Sequence, residues 1–121
     1  MKKILLIEDE KFLAEIYKEK FSQAGFEIIL SLNVKKGLEL AKKEKPDLIL
    51  LDILFPEEDG IFFLKQLRKN SKTASLLVVV FSNYDGSRIK KQALKLGIRD
   101  YLVKSNYTPK EIVHKIKSYL K

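Results

Sequence analysis

Cysteine is absent from the 121 residues of this chain, which excludes disulfide bonds, thiolate metal sites and thiol chemistry. The one histidine, His114, falls on the polar side of a helical pattern, so we expect it neither to bind metal nor to donate a phosphoryl group. The longest unbroken apolar run, Leu76–Phe81, is far too short to cross a bilayer. These absences predict a cytoplasmic protein that makes no use of the membrane.

The remaining composition is that of a globular protein, with 45% hydrophobic and 33% charged residues. No linker, repeat or low-complexity stretch interrupts the chain, so we expect a single domain over residues 1–121. The formal net charge is +8, which by itself suggests nucleic acid or an anionic surface as a partner. Whether that suggestion holds depends on where the basic residues lie.

Five short apolar runs alternate with segments of helical periodicity. The runs, read as strands, are Lys3–Ile7, Phe26–Leu30, Asp47–Leu51, Leu76–Phe81 and Arg99–Val103. Between them, apolar residues recur at helical spacing, and Gly25, Pro46 and Gly97 provide stop signals. The last helix begins with Thr108-Pro109-Lys110-Glu111, which has the pattern of a capping box with proline at the first helical position. This alternation predicts a (βα)₅ domain: a parallel sheet with helices on both faces.

Polar residues follow these strands at their carboxyl ends, where ligands bind in open parallel sheets. Glu8-Asp9 follows the first strand and Asp52 the third, while Ser82 follows the fourth and Lys104 the fifth. If the strands are parallel, three carboxylates share one edge with an ammonium and a hydroxyl group. Close carboxylates repel each other, so a hard divalent cation such as Mg²⁺ is expected among them. The pattern therefore suggests phosphoryl chemistry at a metal site.

Four motifs, in this order and at these spacings, make the chain resemble the receiver domains of two-component response regulators. They are Ile4–Glu10, Pro46–Pro56 with Asp59-Gly60, Val80–Ser82 and Asp100–Lys104. The resemblance covers essentially the whole chain, in the manner of chemotaxis regulators that consist of a receiver alone. It implies a doubly wound, flavodoxin-like fold with strand order 2-1-3-4-5. Because no output domain follows Lys121, we expect a stand-alone receiver or an excised fragment.

The resemblance also implies a chemical role for each site residue. Asp52 matches the phospho-acceptor, which takes a phosphoryl group from a phosphohistidine of a sensor histidine kinase or phosphotransfer protein. Glu8, Asp9, Asp52 and the backbone carbonyl of Leu54 match the ligands of Mg²⁺, with Mn²⁺ as an alternative. The protein is thus expected to act as a switch and not as a turnover enzyme on other substrates.

Three further side chains match residues that, in the family, contact or respond to the phosphoryl group. Lys104 matches the lysine that pairs with it, and Ser82 matches the hydroxyl that bonds one of its oxygens. Ser82 and Tyr101 together form the expected switch, since Tyr101 matches the aromatic that swings inward behind the serine. The expected consequence is a change on the face formed by helix 4, strand 5 and helix 5.

The sequence departs from the commonest family pattern at a few positions. Ser105 follows Lys104 where a cis proline is usual, and we expect a trans bond because a cis bond before serine costs about 3 kcal/mol. Asn83 replaces a small alanine. Leu54 and Tyr84 occupy positions that tune self-dephosphorylation in the family, and their apolar bulk predicts a long-lived phosphoryl group. The alternatives are a phosphorylation-independent interaction scaffold, a flavodoxin-like cofactor binder and a nucleic-acid-binding module.

The excess positive charge lies entirely in the last part of the chain. Residues 1–86 contain 14 basic and 14 acidic residues, whereas residues 87–121 contain 10 basic residues against only Asp100 and Glu111. The predicted face of helix 4, strand 5 and helix 5 is therefore strongly basic. It would repel a copy of itself, so we expect a monomer with an acidic protein target. Direct DNA binding is not expected, and a phosphorylation-linked dimer is left open.

Overall fold

The computed structural model describes residues 1–53 and 60–120. Its strands are β1 (Lys3–Ile7), β2 (Glu27–Ser31), β3 (Leu48–Leu51), β4 (Val78–Ser82) and β5 (Asp100–Val103). Its helices are α1 (Lys11–Gln23), α2 (Val34–Glu44), α3 (Gly60–Lys69), α4 (Ser87–Lys95) and α5 (Pro109–Tyr119). A short 3₁₀ turn, Lys104–Asn106, joins β5 to α5. Leu54 lies outside the described residues.

The strands form one parallel sheet in the order β2-β1-β3-β4-β5. Leu5 of β1 pairs with Ile29 of β2 on one side and with Ile49 of β3 on the other. The predicted (βα)₅ fold and its strand order are thereby confirmed. The order reverses at β1 and β3, so the residues that follow these two strands lie at the switch point where such folds bind ligands.

Two apolar layers cover the two faces of the sheet. Alternate strand residues, such as Leu5 and Ile49, pack with buried side chains of α2, α3 and α4. Their neighbours, such as Ile4 and Leu48, pack with α1 and α5. Because successive side chains of a strand point to opposite faces, strands covered on both faces are apolar throughout, and the four residues of β3 are all fully buried.

The helix ends follow the local sequence signals. The Thr108 side chain accepts a hydrogen bond from the Glu111 backbone and the Glu111 side chain accepts one from Thr108, so the predicted capping box is confirmed. Gly25 and Gly97 have positive φ angles just beyond α1 and α4, as expected for helix stops. Helix α2 differs: Lys45 adopts the left-handed conformation, with φ of 46°, one residue before Pro46.

Arg68 fixes the carboxyl end of α4 to its surroundings. Its guanidinium group donates hydrogen bonds to the carbonyl oxygens of Leu96 and Gly97, just after α4, at 2.7 and 3.1 Å. It also donates to the carbonyls of Ala74 and Leu76, before β4, at 3.1 and 2.8 Å. The planar group thus bonds carbonyls at the end of α4 and carbonyls of the segment before β4.

Within the described residues, no helix combines the length and apolar character that a membrane span requires.

Candidate functional site

The sequence-predicted polar residues meet at the carboxyl edge of the sheet. Glu8 follows β1, Asp52 follows β3 and Lys104 follows β5, and all three side chains are buried. The Lys104 ammonium donates a hydrogen bond to Glu8 Oε1 and another, of 3.1 Å, to Asp52 Oδ2. The structure therefore brings these three residues together from distant parts of the chain, as the sequence predicted.

Lys104 occupies the centre of this group. Its side chain is only 7% exposed, and its ammonium lies 5.9 Å from the centroid of the Phe81 ring. Burial favours the neutral amine, but the Asp52 and Glu8 carboxylates outweigh this effect and raise the pKa of Lys104 above its usual value. The side chain therefore carries a fixed positive charge into a largely dry environment.

Glu8 is the more deeply buried of the acidic pair that follows β1. Its carboxylate pairs with Lys104 and accepts a hydrogen bond of 3.2 Å from the Glu10 backbone. Burial nevertheless raises the pKa of Glu8, because the loss of solvent around the carboxylate outweighs the stabilising contacts. The Lys104 ammonium is shared between the Glu8 and Asp52 carboxylates.

Three carboxylates in the described part of the chain have the geometry of a cation site. Oxygen atoms of Glu8, Asp9 and Asp52 all lie within 4.8 Å of one another, and Asp9 is partly open to solvent. An all-oxygen set of this kind suits a hard cation such as Mg²⁺ or Mn²⁺ and does not suit zinc or copper. The residues present therefore fit the expected ion. The fourth predicted ligand, the Leu54 carbonyl, cannot be placed because it lies outside the described residues.

Ser82 and Tyr101, the two predicted switch residues, are joined through the main chain of Tyr84. The buried Ser82 hydroxyl accepts a hydrogen bond of 3.2 Å from the Tyr84 N–H. The Tyr101 hydroxyl donates one of 2.6 Å to the Tyr84 carbonyl. Burial, followed by the nearby Asp85 and Asp52 carboxylates, raises the pKa of Tyr101 to about 12. The phenol is therefore a hydrogen-bond donor at neutral pH.

The sequence did not indicate Lys90, which contacts the Tyr101 ring, or Asp85, which pairs with Lys90. Lys90 of α4 forms an ion pair of 2.5 Å with Asp85 and lies 5.4 Å from the centroid of the Tyr101 ring. The only available signal was their place at the start of a helix, which is too common to be informative.

Two positions that depart from the commonest family pattern can be placed in the structure. Asn83 is exposed, and the Lys104–Ser105 bond is trans, as are all the described peptide bonds.

Comparison with known sequences identifies the family. The chain matches the profile described as "Response regulator receiver domain" over residues 4–117. It is 31% identical, over 120 residues, to the alkaline phosphatase synthesis transcriptional regulatory protein PhoP of Bacillus subtilis. That alignment covers 99% of this chain and 49% of PhoP. The chain thus spans about half the length of the curated relatives that it matches.

Solved structures agree with this result. The receiver domain of Francisella response regulator 1452 superposes with a TM-score of 0.85 and 30% identity, and the match covers 100% of each chain. The Mn²⁺-bound form of response regulator Rcp1 has a TM-score of 0.85 at 25% identity, with 99% of this chain and 94% of that chain covered. The resemblance seen in the sequence motifs is confirmed by both kinds of comparison.

Proposed function

The chain belongs to the family of response regulator receiver domains, and on that premise we propose that it is a phosphorylation switch of two-component signalling whose acceptor is Asp52. We treat residues 1–121 as one receiver domain, located in the cytoplasm with the kinases that such domains meet. Its donor is a phosphohistidine on a sensor histidine kinase or phosphotransfer protein. The observation that carries the proposal is the buried Lys104 ammonium held between the Asp52 and Glu8 carboxylates.

The transfer itself requires little of the protein beyond a positioned nucleophile. A carboxylate oxygen of Asp52 attacks the phosphorus atom, a new P–O bond forms, and the P–N bond breaks so that its electron pair returns to the imidazole of the donor. Asp52 needs no general base because a carboxylate is already ionised at neutral pH. The chain therefore catalyses its own phosphorylation and is not a turnover enzyme on other substrates.

Lys104 and Ser82 are suited to hold the transferred group. Lys104 already lies 3.1 Å from Asp52, so its ammonium can pair with a phosphoryl oxygen after a small movement away from that carboxylate. Ser82 ends β4, the strand next to β3, and its hydroxyl can donate to a second oxygen. The hydrogen bond that Ser82 accepts from Tyr84 links this event to the loop before α4.

Glu8, Asp9 and Asp52 would hold the divalent cation that the family uses, and the Leu54 carbonyl is the proposed fourth protein ligand. When bound, Mg²⁺ or Mn²⁺ would neutralise the carboxylates and the incoming phosphoryl oxygens. Asp9 is the ligand best placed for this purpose, because it is partly exposed, whereas Glu8 also serves Lys104. The Mn²⁺-bound Rcp1 structure supports the choice of ion.

The output surface that we propose is the face of α4, β5 and α5. Leu94 of α4 is 57% exposed, and Lys91 and Lys95 beside it are exposed as well. This combination of an apolar anchor and positive charges suits an acidic protein target, and it disfavours self-association through the same face. We expect a monomer in sedimentation experiments at modest salt, and a tight dimer through α4 and α5 would contradict this expectation.

One experiment tests the proposal directly. The protein is incubated with Mg²⁺ and acetyl phosphate, and the mass of the intact chain is followed over time. We expect the addition of one phosphoryl group that decays slowly. The Asp52→Asn variant should gain no mass. Asp47→Asn, which changes an exposed carboxylate at the opposite end of β3, should behave like the natural chain.

A negative result with the small donor is followed by a test with a histidine kinase and with beryllofluoride. If the protein accepts no phosphoryl group from the kinase and does not bind beryllofluoride, the proposal is refuted. That result would favour a phosphorylation-independent interaction scaffold. Phosphorylation of Asp52→Asn to the same extent as the natural chain would show that Asp52 is not the acceptor.

A further inference from the structure

The Lys90 ammonium lies over the ring of Tyr101 near the amino end of α4 and pairs there with Asp85. The Lys90 ammonium is 2.5 Å from Asp85 Oδ1 and 5.4 Å from the Tyr101 ring centroid, which is within the range of a cation–π contact. We infer that this ion pair is a latch that holds Tyr101 in place and couples the Ser82 site to the first turns of α4. The inference rests on the proposed function of Ser82 and Tyr101.

The contacts form a continuous path from the site to the helix. The Ser82 hydroxyl bonds the Tyr84 N–H, and the Tyr84 carbonyl bonds the Tyr101 hydroxyl. The Tyr101 ring then lies beneath Lys90, which belongs to α4. A movement of the Ser82 hydroxyl therefore changes the position of Tyr84, and through Tyr101 it changes the environment of Lys90.

The two ends of α4 are held by different contacts. We therefore expect the amino end to be the one that moves when Ser82 and Tyr101 change position. At the carboxyl end, Arg68 donates to the carbonyls of Leu96 and Gly97. At the amino end, Gly86 provides no side-chain cap, and Lys90, which pairs with Asp85, contacts the Tyr101 ring. A latch of two side chains can open without disturbing the core.

The latch is weak enough to be adjustable. The side chains of Lys90 and Asp85 are 36% and 59% exposed, so their attraction is screened by solvent and salt. An exposed ion pair together with an exposed cation–π contact changes a two-state equilibrium by about fivefold. We therefore expect the latch to shift the population of the Tyr101 ring positions and to leave folding almost unchanged.

The test measures the side-chain rotamers of Tyr101 by NMR in the unphosphorylated protein, with and without beryllofluoride and Mg²⁺. The first variant is Lys90→Met, which keeps most of the length of the side chain and removes its charge. Lys91→Met is the matched control, because Lys91 is the next residue of the same helix and is exposed. Asp85→Asn and the double variant complete a double-mutant cycle, and Lys90→Arg tests rescue.

We expect Lys90→Met and Asp85→Asn each to reduce the ratio of latched to open Tyr101 several-fold, up to about fivefold. The double variant should lose little more than either single variant. Lys91→Met should leave the Tyr101 ratio unchanged, and Lys90→Arg should restore the ratio. Unchanged rotamers in Lys90→Met, or equal effects of Lys90→Met and Lys91→Met, would overturn the latch. Because the rotamers are measured before any phosphorylation, such a failure would leave the role of Asp52 intact, whereas loss of beryllofluoride binding in the natural chain would count against the proposed function.

Discussion

Two lysine–aspartate pairs in the described part of the chain differ in how deeply they are buried. Lys104 and Asp52 are 7% and 11% exposed and lie at the carboxyl edge of the sheet, while Lys90 and Asp85 are 36% and 59% exposed at the start of α4. The distances, 3.1 and 2.5 Å, would rank the surface pair as the tighter one. Burial reverses that order, because attraction between charges grows as water is excluded.

Under the proposed function, chemistry takes place at the buried pair and regulation at the exposed pair, and burial accounts for this difference. Around Lys104, each charge depends on its neighbours, since an unpaired charge in a dry site is costly. The same dependence gives Asp52 the defined environment that the proposed phosphoryl transfer requires. Around Lys90, solvent can replace either partner, so the pair opens readily. Under the proposed function and the inferred latch, the buried group performs the reaction and the exposed pair responds to it.

The largest effect should come from removing the charge at the centre of the buried group. Lys104→Met leaves Glu8 and Asp52 facing each other without an ammonium between them, and we expect the free energy of unfolding to fall by about 3 kcal/mol. Urea denaturation in metal-free buffer measures this change. Lys90→Met is the control on the exposed pair, and equal losses in the two variants would invalidate the comparison.

A smaller effect should follow from changing the most accessible carboxylate of the site. Asp9→Asn removes a charged ligand, and we expect the affinity for Mg²⁺ to fall about tenfold or more, as titration calorimetry would show. Stability without metal should not decrease, because one of three mutually repelling carboxylates is lost. Asp47→Asn should leave the affinity unchanged. An unaltered affinity in Asp9→Asn would mean that the cation, if bound, uses other residues.

The smallest effect concerns the exposed pair and its dependence on salt. We expect Asp85→Asn to lower the free energy of unfolding by about 0.5 kcal/mol at low ionic strength. This loss should vanish at about 1 M salt. Glu39→Gln, which breaks the exposed pair with Lys36, should behave in the same way. The loss in Lys104→Met should persist in salt. Denaturation curves at two salt concentrations check all three variants.

The fold could be predicted from the sequence because local and global signals agree. The apolar runs, the glycine stops and the capping box at Thr108 all indicated elements that the structure contains. The strand ends were less accurate: β2 and β4 extend through Ser31 and Ser82, whereas the predicted runs ended at Leu30 and Phe81. A polar side chain does not end a strand when its backbone continues the ladder, as in the pairing of Ser31 with Ile7.

The site could be predicted only as a set of residue types. Alternation of strands and helices was enough to bring Glu8, Asp52 and Lys104 to one edge, because parallel strands end together. The sharing of Lys104 between two carboxylates depends on the register of β1, β3 and β5 and on the rotamers of side chains up to 96 residues apart. No short-range sequence pattern predicts that Lys104 is shared in this way. The same is true of the contact between Lys90 and the Tyr101 ring.

The central claim is that the carboxylate beside Lys104, and no other carboxylate of the cluster, carries the phosphoryl group. The direct measurement is to phosphorylate the protein with acetyl phosphate, reduce the acyl phosphate with borohydride and locate the resulting homoserine by tandem mass spectrometry. Reduction at residue 52 alone is the predicted result. A label at Asp9, or at any other acidic residue with residue 52 unmodified, would contradict the account.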